Sequence, residues 1–596
     1  MNPPIDHRNR ALAIAAPLIA GLLIRVFSLI QNLDYAHGDV NGDALVAESI
    51  ARGYGFWMPW EEATTIYDDP LGKTAETWGH PADSHGPLWS LLAAPFVIFT
   101  KSGYLACQIL SLICGVLAIE AARRLFQGFA EGELGRRAGL LAAWACAVSL
   151  PISDYSGNGS LYAGQILGTL LLPLVARQFV TIKGAALCGA ALGLFYLLSY
   201  QAGLLIPLFT IAAFVSFGIR GAFFRLVVAG AVCLAVTLPW FIRNYLIWGD
   251  PLFSSNAAFF TAKVGSVLVD LAGQRPGLVI QNESVSILES IVEWARFNVP
   301  FVIAAIPASL AGFAWFSLGG IQRMTFSERF PRVRFDSLIV LSVLLMLFIT
   351  AVICPQPRTR NIVPMIPIFA GAAALELALG ARVLWLSTSI SAALGILVYL
   401  QTSYPDFCAP LQADCIIAAL PLATVIPFYF IRSKKHWVPW ILIVSLVCIG
   451  AFRVWLAGGL DRLSMIYSLP DVVPQIDKQF VPTRTFYESI NSPYAEGMSL
   501  AILRESAEAC RALEAAGCEL LLGRADTVTL WNRKFLSTRG TVELSQLPQL
   551  IEFFGVDGFL IWRPWLERQQ HIADWVQQRD VKRVYEGTLL VGCSLK

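Results

Sequence analysis

Long apolar runs alternate with shorter polar connections along most of the chain, up to about residue 460. Within each run the apolar residues are continuous rather than alternating, which is typical of helices and not of barrel strands. Because helices satisfy their own backbone hydrogen bonds in lipid, the runs are predicted to span a membrane. About thirteen spans are expected, at residues 11–29, 104–122, 138–152, 161–176, 184–199, 203–219, 226–242, 297–318, 336–353, 362–380, 383–402, 414–431 and 437–457.

The connections between spans differ in charge, and this difference predicts the orientation. One set is rich in Lys and Arg, for example around residues 123–137, 323–334 and 432–435. It alternates with long, acid-bearing loops at 31–103 and 243–296 and with everything after residue 458. Because basic connections stay on the cytoplasmic side, the long loops and the C-terminus are expected outside, with the N-terminus cytoplasmic. Arg25, inside the first run, is expected to extend outward to the lipid head groups.

Composition supports a polytopic membrane protein of all-α class. Of the 596 residues, 56% are hydrophobic and only 14% are charged. The formal net charge of +2, without a basic aromatic-rich patch, predicts no nucleic-acid partner. From about residue 471 the composition becomes that of a soluble protein, with strand-like segments at 519–522 and 558–562 and a terminal strand pair within 584–595. We therefore predict a transmembrane module over 1–460 and a small external α/β domain over 471–596.

Twelve cysteines are divided between the apolar runs and the external segments. Those in the runs are expected to be core residues. Cys510, Cys518 and Cys593 fall in the external domain, where an oxidising compartment would permit disulfides. No pair of cysteines has the spacing of a structural zinc site.

An acidic helix is predicted in the first long loop, within residues 38–56. Asp39 and Asn41 are good N-cap residues, and Gly53 can end the helix in a left-handed conformation. Asp39 and Asp43 are four residues apart, so their carboxylates project from one helical face. The alternative interpretation is that both acids only complement the helix dipole and cap free N–H groups.

The positions of the charges distinguish two functional classes. A transporter would place ionisable residues inside the spans, near the middle of the membrane. Here the spans hold few acids and show no internal repeat, whereas the long loops hold carboxylates and cations. An enzyme acting at the outer membrane surface is therefore favoured over a lipid or glycan transporter or flippase of the cell envelope. A non-catalytic protein whose external domain binds envelope components is a third possibility.

Four sequence stretches resemble the GT-C glycosyltransferases, in particular protein O-mannosyltransferases and lipid A aminoarabinose transferases. The first is the acidic segment, whose spacing from Asp39 through Gly53 and Gly55 resembles the family's first external loop. The others read HGPLW at 85–89, PWFIRNY at 239–245 followed by GDP at 249–251, and RNIVPMIP at 360–367. The resemblance covers about residues 10–460 and implies the GT-C fold of thirteen spans with an external C-terminal domain. It also implies a multi-pass protein of a bacterial inner membrane.

The resemblance implies transfer of a sugar, a hexose or a pentose, from a polyprenyl phosphate to a lipid, glycan or protein acceptor. The loop 31–103 would carry the catalytic groups, and the reaction would invert the anomeric carbon. A carboxylate would act as general base. Asp39 aligns with the family's essential aspartate, whereas Asp43 stands where the family usually has tyrosine, so either could be the base.

Cations are needed where the charge of the departing lipid phosphate develops. The candidates are Lys73, His85, Arg243, Arg358 and Arg360, each of which could instead contact lipid head groups. Asp154, in the next external loop, is a further candidate for binding substrate, although it could simply cap the following helix. No cofactor is required by this chemistry; a divalent cation could be held by Asp39 and Asp43, but two carboxylates do not define a metal. The sequence has no nucleotide-binding glycine loop, which favours a lipid-linked donor over a nucleotide sugar. It also has no Trp-Trp-Asp motif, the signature of oligosaccharyltransferases, so transfer of a whole oligosaccharide to Asn is not expected.

Overall fold

A computed structural model gives the structure of the chain as two compact units. The first comprises Met1–Ile30, Asp83–Trp89 and Gln108–Ala457, and the second comprises Gln31–Ala82, Ser90–Cys107 and Gly458–Lys596. Within these units the described residues are 7–31, 35–58, 61–62, 80–82, 85–254, 321, 324, 334–353, 363–378, 497–499, 508–509, 511–513, 515–518, 520–523, 534–537, 556–562, 574–577, 581–587 and 590–595.

The described helices follow the order of the predicted spans. They are α1 (His7–Gln31), α2 (Gly38–Ala51), α3 (Leu88–Thr100), α4 (Gly103–Gln127), α5 (Gly132–Val148), α6 (Leu150–Tyr155), α7 (Tyr162–Ala176), α8 (Ile182–Leu198), α9 (Leu205–Trp248), α10 (Phe335–Ile353) and α11 (Ile366–Ala378), with short 3-10 turns at Tyr200–Leu204 and Val363–Met365.

Helices occupy every predicted span that falls on described residues. Three described segments are long and apolar enough to cross a membrane, namely Ala13–Ile30, Gly103–Gln127 and Tyr200–Trp248. Shorter apolar helices lie at the predicted spans 161–176, 184–199, 336–353 and 362–380. The predicted spans at 297–318, 383–402, 414–431 and 437–457 lie outside the described residues, so the total of thirteen stays a prediction.

A single glycine separates the two spans predicted at 203–219 and 226–242. Both lie within α9, and Gly218 has φ 68° and ψ 167°, which is not a helical conformation. A side chain with a Cβ rarely adopts such a positive φ, whereas glycine does so readily. The helix is therefore interrupted at Gly218 itself, and residues 220–225, predicted to connect the two spans, are helical.

The position of Arg25 contradicts the expectation that it reaches the lipid head groups. Its side chain is fully buried in the first unit, with 0% exposure. The guanidinium donates to the carbonyls of Gly21, Ala147 and Cys146 at 3.1, 3.1 and 2.9 Å. Two of these carbonyls belong to the last turn of α5, where unpaired carbonyls carry partial negative charge. Arg25 thus joins α1 to the end of α5 instead of extending outward.

An ion cluster joins α7 and α10 to the end of α4 on the side predicted to be cytoplasmic. The Asp336 carboxylate, at the start of α10, accepts from Arg177 at 2.8 Å and from Arg334 at 2.9 Å. Arg177 also donates to the carbonyl of Leu125 at 2.6 Å. Both guanidinium groups lie over the Phe129 ring, at 5.1 and 5.0 Å from its centroid. The cluster satisfies carbonyls at the end of α4 that the helix itself leaves unpaired.

The second unit contains a six-stranded sheet built from both ends of the sequence. Its strand order is β3-β7-β6-β8-β10-β9. The pairs from β3 to β8 are parallel, and the pairs of β10 with β8 and β9 are antiparallel. Two further antiparallel pairs join β1 to β5 and β2 to β4. The strands are β1 (Tyr35–His37), β2 (Trp57–Met58), β3 (Glu61–Glu62), β4 (His80–Pro81), β5 (Gly497–Ser499), β6 (Leu520–Gly523), β7 (Lys534–Ser537), β8 (Gly558–Trp562), β9 (Lys582–Glu586) and β10 (Leu590–Ser594).

The strands predicted near 519–522, 558–562 and 584–595 are all present. The loop 31–103 is predicted to belong to the same module as the spans, whereas the structure groups most of this loop with the C-terminal residues. The boundary predicted between 460 and 471 lies outside the described residues. A separate α/β domain over 471–596 therefore stays a prediction.

Candidate active site

The acidic helix exists and ends where the sequence predicts. The N–H of Gly53 donates to the Ile50 carbonyl and that of Tyr54 to the Ser49 carbonyl, both at 3.0 Å. Gly53 has φ 88°, so the pair of bonds forms a Schellman end with glycine in the left-handed position. The helix begins at Gly38, directly after β1, which places Asp39 inside the first turn rather than at the N-cap.

Of the two candidate carboxylates, only Asp43 has a side chain within the described part of the structure. Its side chain is buried in the second unit, with 3% exposure. Asp39 lies on the same helix one turn earlier, and its side chain is outside the described part of the structure. A carboxylate that is buried in this way must be compensated by its surroundings, which suits a group with a chemical task.

The apolar face of α2 packs against the C-terminal part of the chain. Leu45 and Val46 belong to a buried cluster with Leu513 and Leu560, joined by Met58, Ala509 and Cys518. Strand β1, which leads into α2, pairs with β5 from the same C-terminal part. The helix that carries Asp43 is thus held in place by residues more than 450 positions later in the sequence.

Glu48 is a functional candidate that the sequence analysis missed. It lies on α2 with 8% exposure, and its carboxylate accepts a 2.7 Å hydrogen bond from the backbone N–H of Gly103. Gly103 is the first residue of α4. An acid directly after the apolar run from Ala44 to Ala47 was the signal that could have identified it.

The segment predicted to hold a cation, 85–89, lies in the first unit and packs against the end of α8. A Cβ at Gly86 would come 2.1 Å from the Leu197 carbonyl oxygen, so only glycine allows this approach. The Trp89 side chain is 1% exposed, and its indole donates to the Gly159 carbonyl at 3.1 Å. These contacts place the backbone of His85 against the helices. Helix α3 begins within this segment, at Leu88.

A chain of side-chain contacts connects His85 with Arg243, also in the first unit. The Tyr200 hydroxyl donates to the His85 carbonyl at 3.2 Å and accepts from the Trp240 indole at 2.9 Å. The Arg243 guanidinium lies over the Trp240 ring, 4.4 Å from its centroid. It also donates to the Asn244 amide oxygen at 2.9 Å. Two of the five predicted cations therefore belong to one connected group of residues, and their positions depend on each other.

The remaining candidates are less well defined. Asp154 lies in the short helix α6, and its side chain is outside the described part of the structure. Lys73, Arg358 and Arg360 lie outside the described residues altogether. Within the described ranges, no three His, Cys, Asp or Glu side chains are close enough together to hold a metal ion. A divalent cation at Asp39 and Asp43 stays a prediction.

Solved structures share the fold of the whole chain. ArnT from Cupriavidus metallidurans in the apo state aligns with a TM-score of 0.57 and 14% identity, over 98% of this chain and 97% of ArnT. The same protein bound to undecaprenyl phosphate also aligns with a TM-score of 0.57 and 14% identity, over 98% of both chains. The Archaeoglobus fulgidus oligosaccharyltransferase in the apo form aligns with a TM-score of 0.50 and 15% identity, over 94% of this chain and 71% of its own. No protein-family model and no curated protein matches the chain. Identities this low establish a common fold and not a common substrate.

Proposed function

Because the chain has the fold of the GT-C membrane glycosyltransferases, we propose that it transfers a sugar from a polyprenyl phosphate to an acceptor at the outer face of the membrane. The observation that carries the proposal is the similarity, over 98% of both chains, to ArnT bound to undecaprenyl phosphate. A second observation agrees with it: the helix predicted to be catalytic carries a buried carboxylate, Asp43.

The proposed reaction is a single displacement at the anomeric carbon. The acceptor oxygen or nitrogen forms a bond to this carbon as the bond to the phosphate oxygen breaks on the opposite side, so the configuration inverts. The polyprenyl phosphate leaves with the electron pair. The proton of the acceptor passes to a carboxylate, for which Asp39 and Asp43 are the candidates.

The cations have the complementary task. Negative charge grows on the phosphate oxygens as the sugar bond breaks, and fixed positive charge nearby lowers the energy of the transition state. Arg243, stacked on Trp240, and His85, whose backbone is bound by Tyr200, are the described candidates. The sugar, a hexose or pentose, and the acceptor, a lipid, glycan or protein, are left open by the residues.

The test is a transfer assay with the purified chain in detergent. Polyprenyl phosphates carrying different hexoses and pentoses are offered with envelope lipids, glycans and peptides as acceptors, and free polyprenyl phosphate and the mass of the product are measured. The matched control is the variant with both Asp39→Asn and Asp43→Asn, which should release none. Movement of an intact lipid-linked sugar across vesicles, without cleavage of the sugar bond, would contradict the proposal and support a flippase.

A further inference from the structure

Helix α4 begins against the acidic helix, and two different devices cap its N-terminus. The Ser102 hydroxyl accepts from the N–H of Leu105 at 3.3 Å, as an N-cap residue of the helix itself. The N–H of Gly103, one position after the N-cap, donates to the Glu48 carboxylate of α2 at 2.7 Å. The second cap therefore comes from a residue 55 positions earlier in the chain.

The bond between Glu48 and Gly103 combines three favourable contributions. The acceptor is a carboxylate, and a hydrogen bond to a carboxylate is shorter and stronger than one between neutral groups. The N-terminus of α4 carries partial positive charge from the helix dipole, which favours a carboxylate. Glu48 is also buried, so little solvent screens the interaction.

The helices touch at a second point, next to Asp43. A Cβ added to Gly103 would lie 2.3 Å from the carbonyl oxygen of Ala44 and 2.8 Å from its carbonyl carbon. Backbone meets backbone here, so neither helix can yield by rotating a side chain. The first residue of α4 thus contacts α2 at Ala44 and, one turn further on, at Glu48.

We propose that Glu48 is a positioning residue for the transfer reaction, which binds α2 to the N-terminus of α4 and so sets the place of the Asp43 carboxylate. This inference rests on the function proposed above. Asp43 directly precedes the residue whose carbonyl touches Gly103, so a shift of α2 on α4 moves Asp43 by a similar distance. A displacement of about 1 Å in a reacting group can cost about 10²-fold in rate.

Two substitutions at Glu48 separate the hydrogen bond from the charge. Glu48→Gln keeps an oxygen that can accept from Gly103, and Glu48→Ala removes the acceptor. We expect Glu48→Ala to lower kcat about 10²-fold with KM for the donor near normal, because the loss falls on the transition state. Glu48→Gln should restore kcat to within about 10-fold of wild type, since the acceptor is kept and only the charge is lost. Equal activity of Glu48→Ala and wild type overturns the proposal.

Gly103→Ala tests the same contact from the other helix. Its Cβ would force α2 away from α4 with Glu48 unchanged, so kcat should again fall while donor KM stays near normal. The matched control is Glu133→Ala, at an exposed glutamate near the start of α5, which should leave kcat unchanged. If Glu48→Gln is as inactive as Glu48→Ala while the deuterium uptake of residues 44–51 stays at the wild-type level, the charge acts on the reaction rather than on the docking of α2, and a positioning role is wrong.

Hydrogen exchange separates failure of this inference from failure of the proposed function. If the wild-type protein releases no polyprenyl phosphate with any donor, the transferase assignment fails. Deuterium uptake of residues 44–51 then tests the docking of α2 directly. Glu48→Ala should raise that uptake about 10-fold relative to Glu133→Ala, since an unmade contact allows local opening. Unchanged uptake overturns the docking role as well.

Discussion

The indole nitrogen of Trp240 donates a 2.9 Å hydrogen bond to the hydroxyl of Tyr200. The same hydroxyl donates to the backbone carbonyl of His85. One hydroxyl thereby connects two separate stretches that the sequence analysis compared with the GT-C family, residues 85–89 and 239–245. The arrangement explains how a loop segment can be held in register with a helix more than 150 residues further on.

Removing this hydroxyl should disturb the donor site. Tyr200→Phe removes the bonds to the Trp240 indole and to the His85 carbonyl, each worth about 0.5–1.5 kcal/mol. We expect donor KM to rise about 10-fold, because Arg243 stacks on Trp240. Steady-state kinetics of transfer would measure it. The control is Tyr245→Phe, which should behave as wild type. Tyr245 is an exposed tyrosine near the C-terminal end of α9, the helix that carries Trp240.

The two aspartates of α2 should differ in their effects. If Asp39 is the general base, Asp39→Asn lowers kcat about 10²-fold or more and leaves donor affinity near normal. Asp43→Asn would then act only through the helix and its burial, and Asp43→Tyr, which restores the residue usual in the family, should be tolerated. Donor binding and single-turnover rates measure the two effects separately. Loss of turnover in Asp43→Asn with activity kept in Asp39→Asn would assign the base to Asp43.

Asp336 should stabilise the first unit. Asp336→Ala removes the carboxylate that two arginines share, and we expect the free energy of unfolding to fall by about 1.5–3 kcal/mol, the range for hydrogen bonds to charged groups. Thermal unfolding in detergent, followed by tryptophan fluorescence, would record the shift. Glu133→Ala also removes a carboxylate with two arginine partners, but those groups are more exposed, so its effect should be about 0–1 kcal/mol. Equal shifts for both variants would contradict the stabilising role of the cluster.

The thiol of Cys593 should make the second unit less stable in alkali. Burial raises the pKa of Cys593 to about 12, whereas an unfolded cysteine has a pKa of about 8.5. Below about pH 8.5 both states keep the proton, and above it only the unfolded chain loses it, so stability falls as the pH rises toward 12. Deuterium uptake of β10 between pH 7 and 10, corrected for intrinsic exchange, would report the loss. In Cys593→Ala, the part of the rise in β10 uptake with pH that is due to this thiol should be absent.

Cys518 and Cys593, in the C-terminal part of the second unit, are buried and form no disulfide in the structure, which bears on the disulfides expected there. The Cys518 thiol donates to the Asp557 carbonyl at 3.1 Å, while Cys510 lies outside the described residues. Maleimide at neutral pH should therefore modify neither thiol in the folded protein and both after denaturation. Mass spectrometry of the labelled peptides would show this. Labelling of Cys593 in the folded wild-type protein would contradict its burial.

The orientation that the charge pattern predicts can be tested at exposed positions. Cysteines introduced at Tyr54 and Leu252 should react with a membrane-impermeant maleimide added from outside. Cysteines at Arg137 and Val180 should react only after the membrane is opened. The reverse pattern would place the acidic helix in the cytoplasm and exclude an external active site.

Features that depend on neighbours in the sequence could be predicted without a structure. Continuous apolar runs determine helices because each helix closes its own hydrogen bonds, and the described spans confirm this. The end of α2 at Gly53 follows from the freedom of glycine at positive φ. The resemblance of four short motifs to the GT-C family implied a fold, and the fold shared with ArnT agrees with it.

Features that depend on residues distant in the sequence could not be predicted without a structure. Arg25 is buried because the carbonyls at the end of α5 replace water, and nothing near Arg25 in the sequence indicates those carbonyls. Strand β1 finds its partner β5 about 460 residues later, so the first loop and the C-terminal part share a unit. The hydrogen bond between Glu48 and the backbone N–H of Gly103, at 2.7 Å, joins residues 55 positions apart and is visible only in the structure. The sequence determined which segments are helical and which carry charge, but the tertiary structure decided which charges are buried, because burial and pairing depend on residues that meet only in the folded chain.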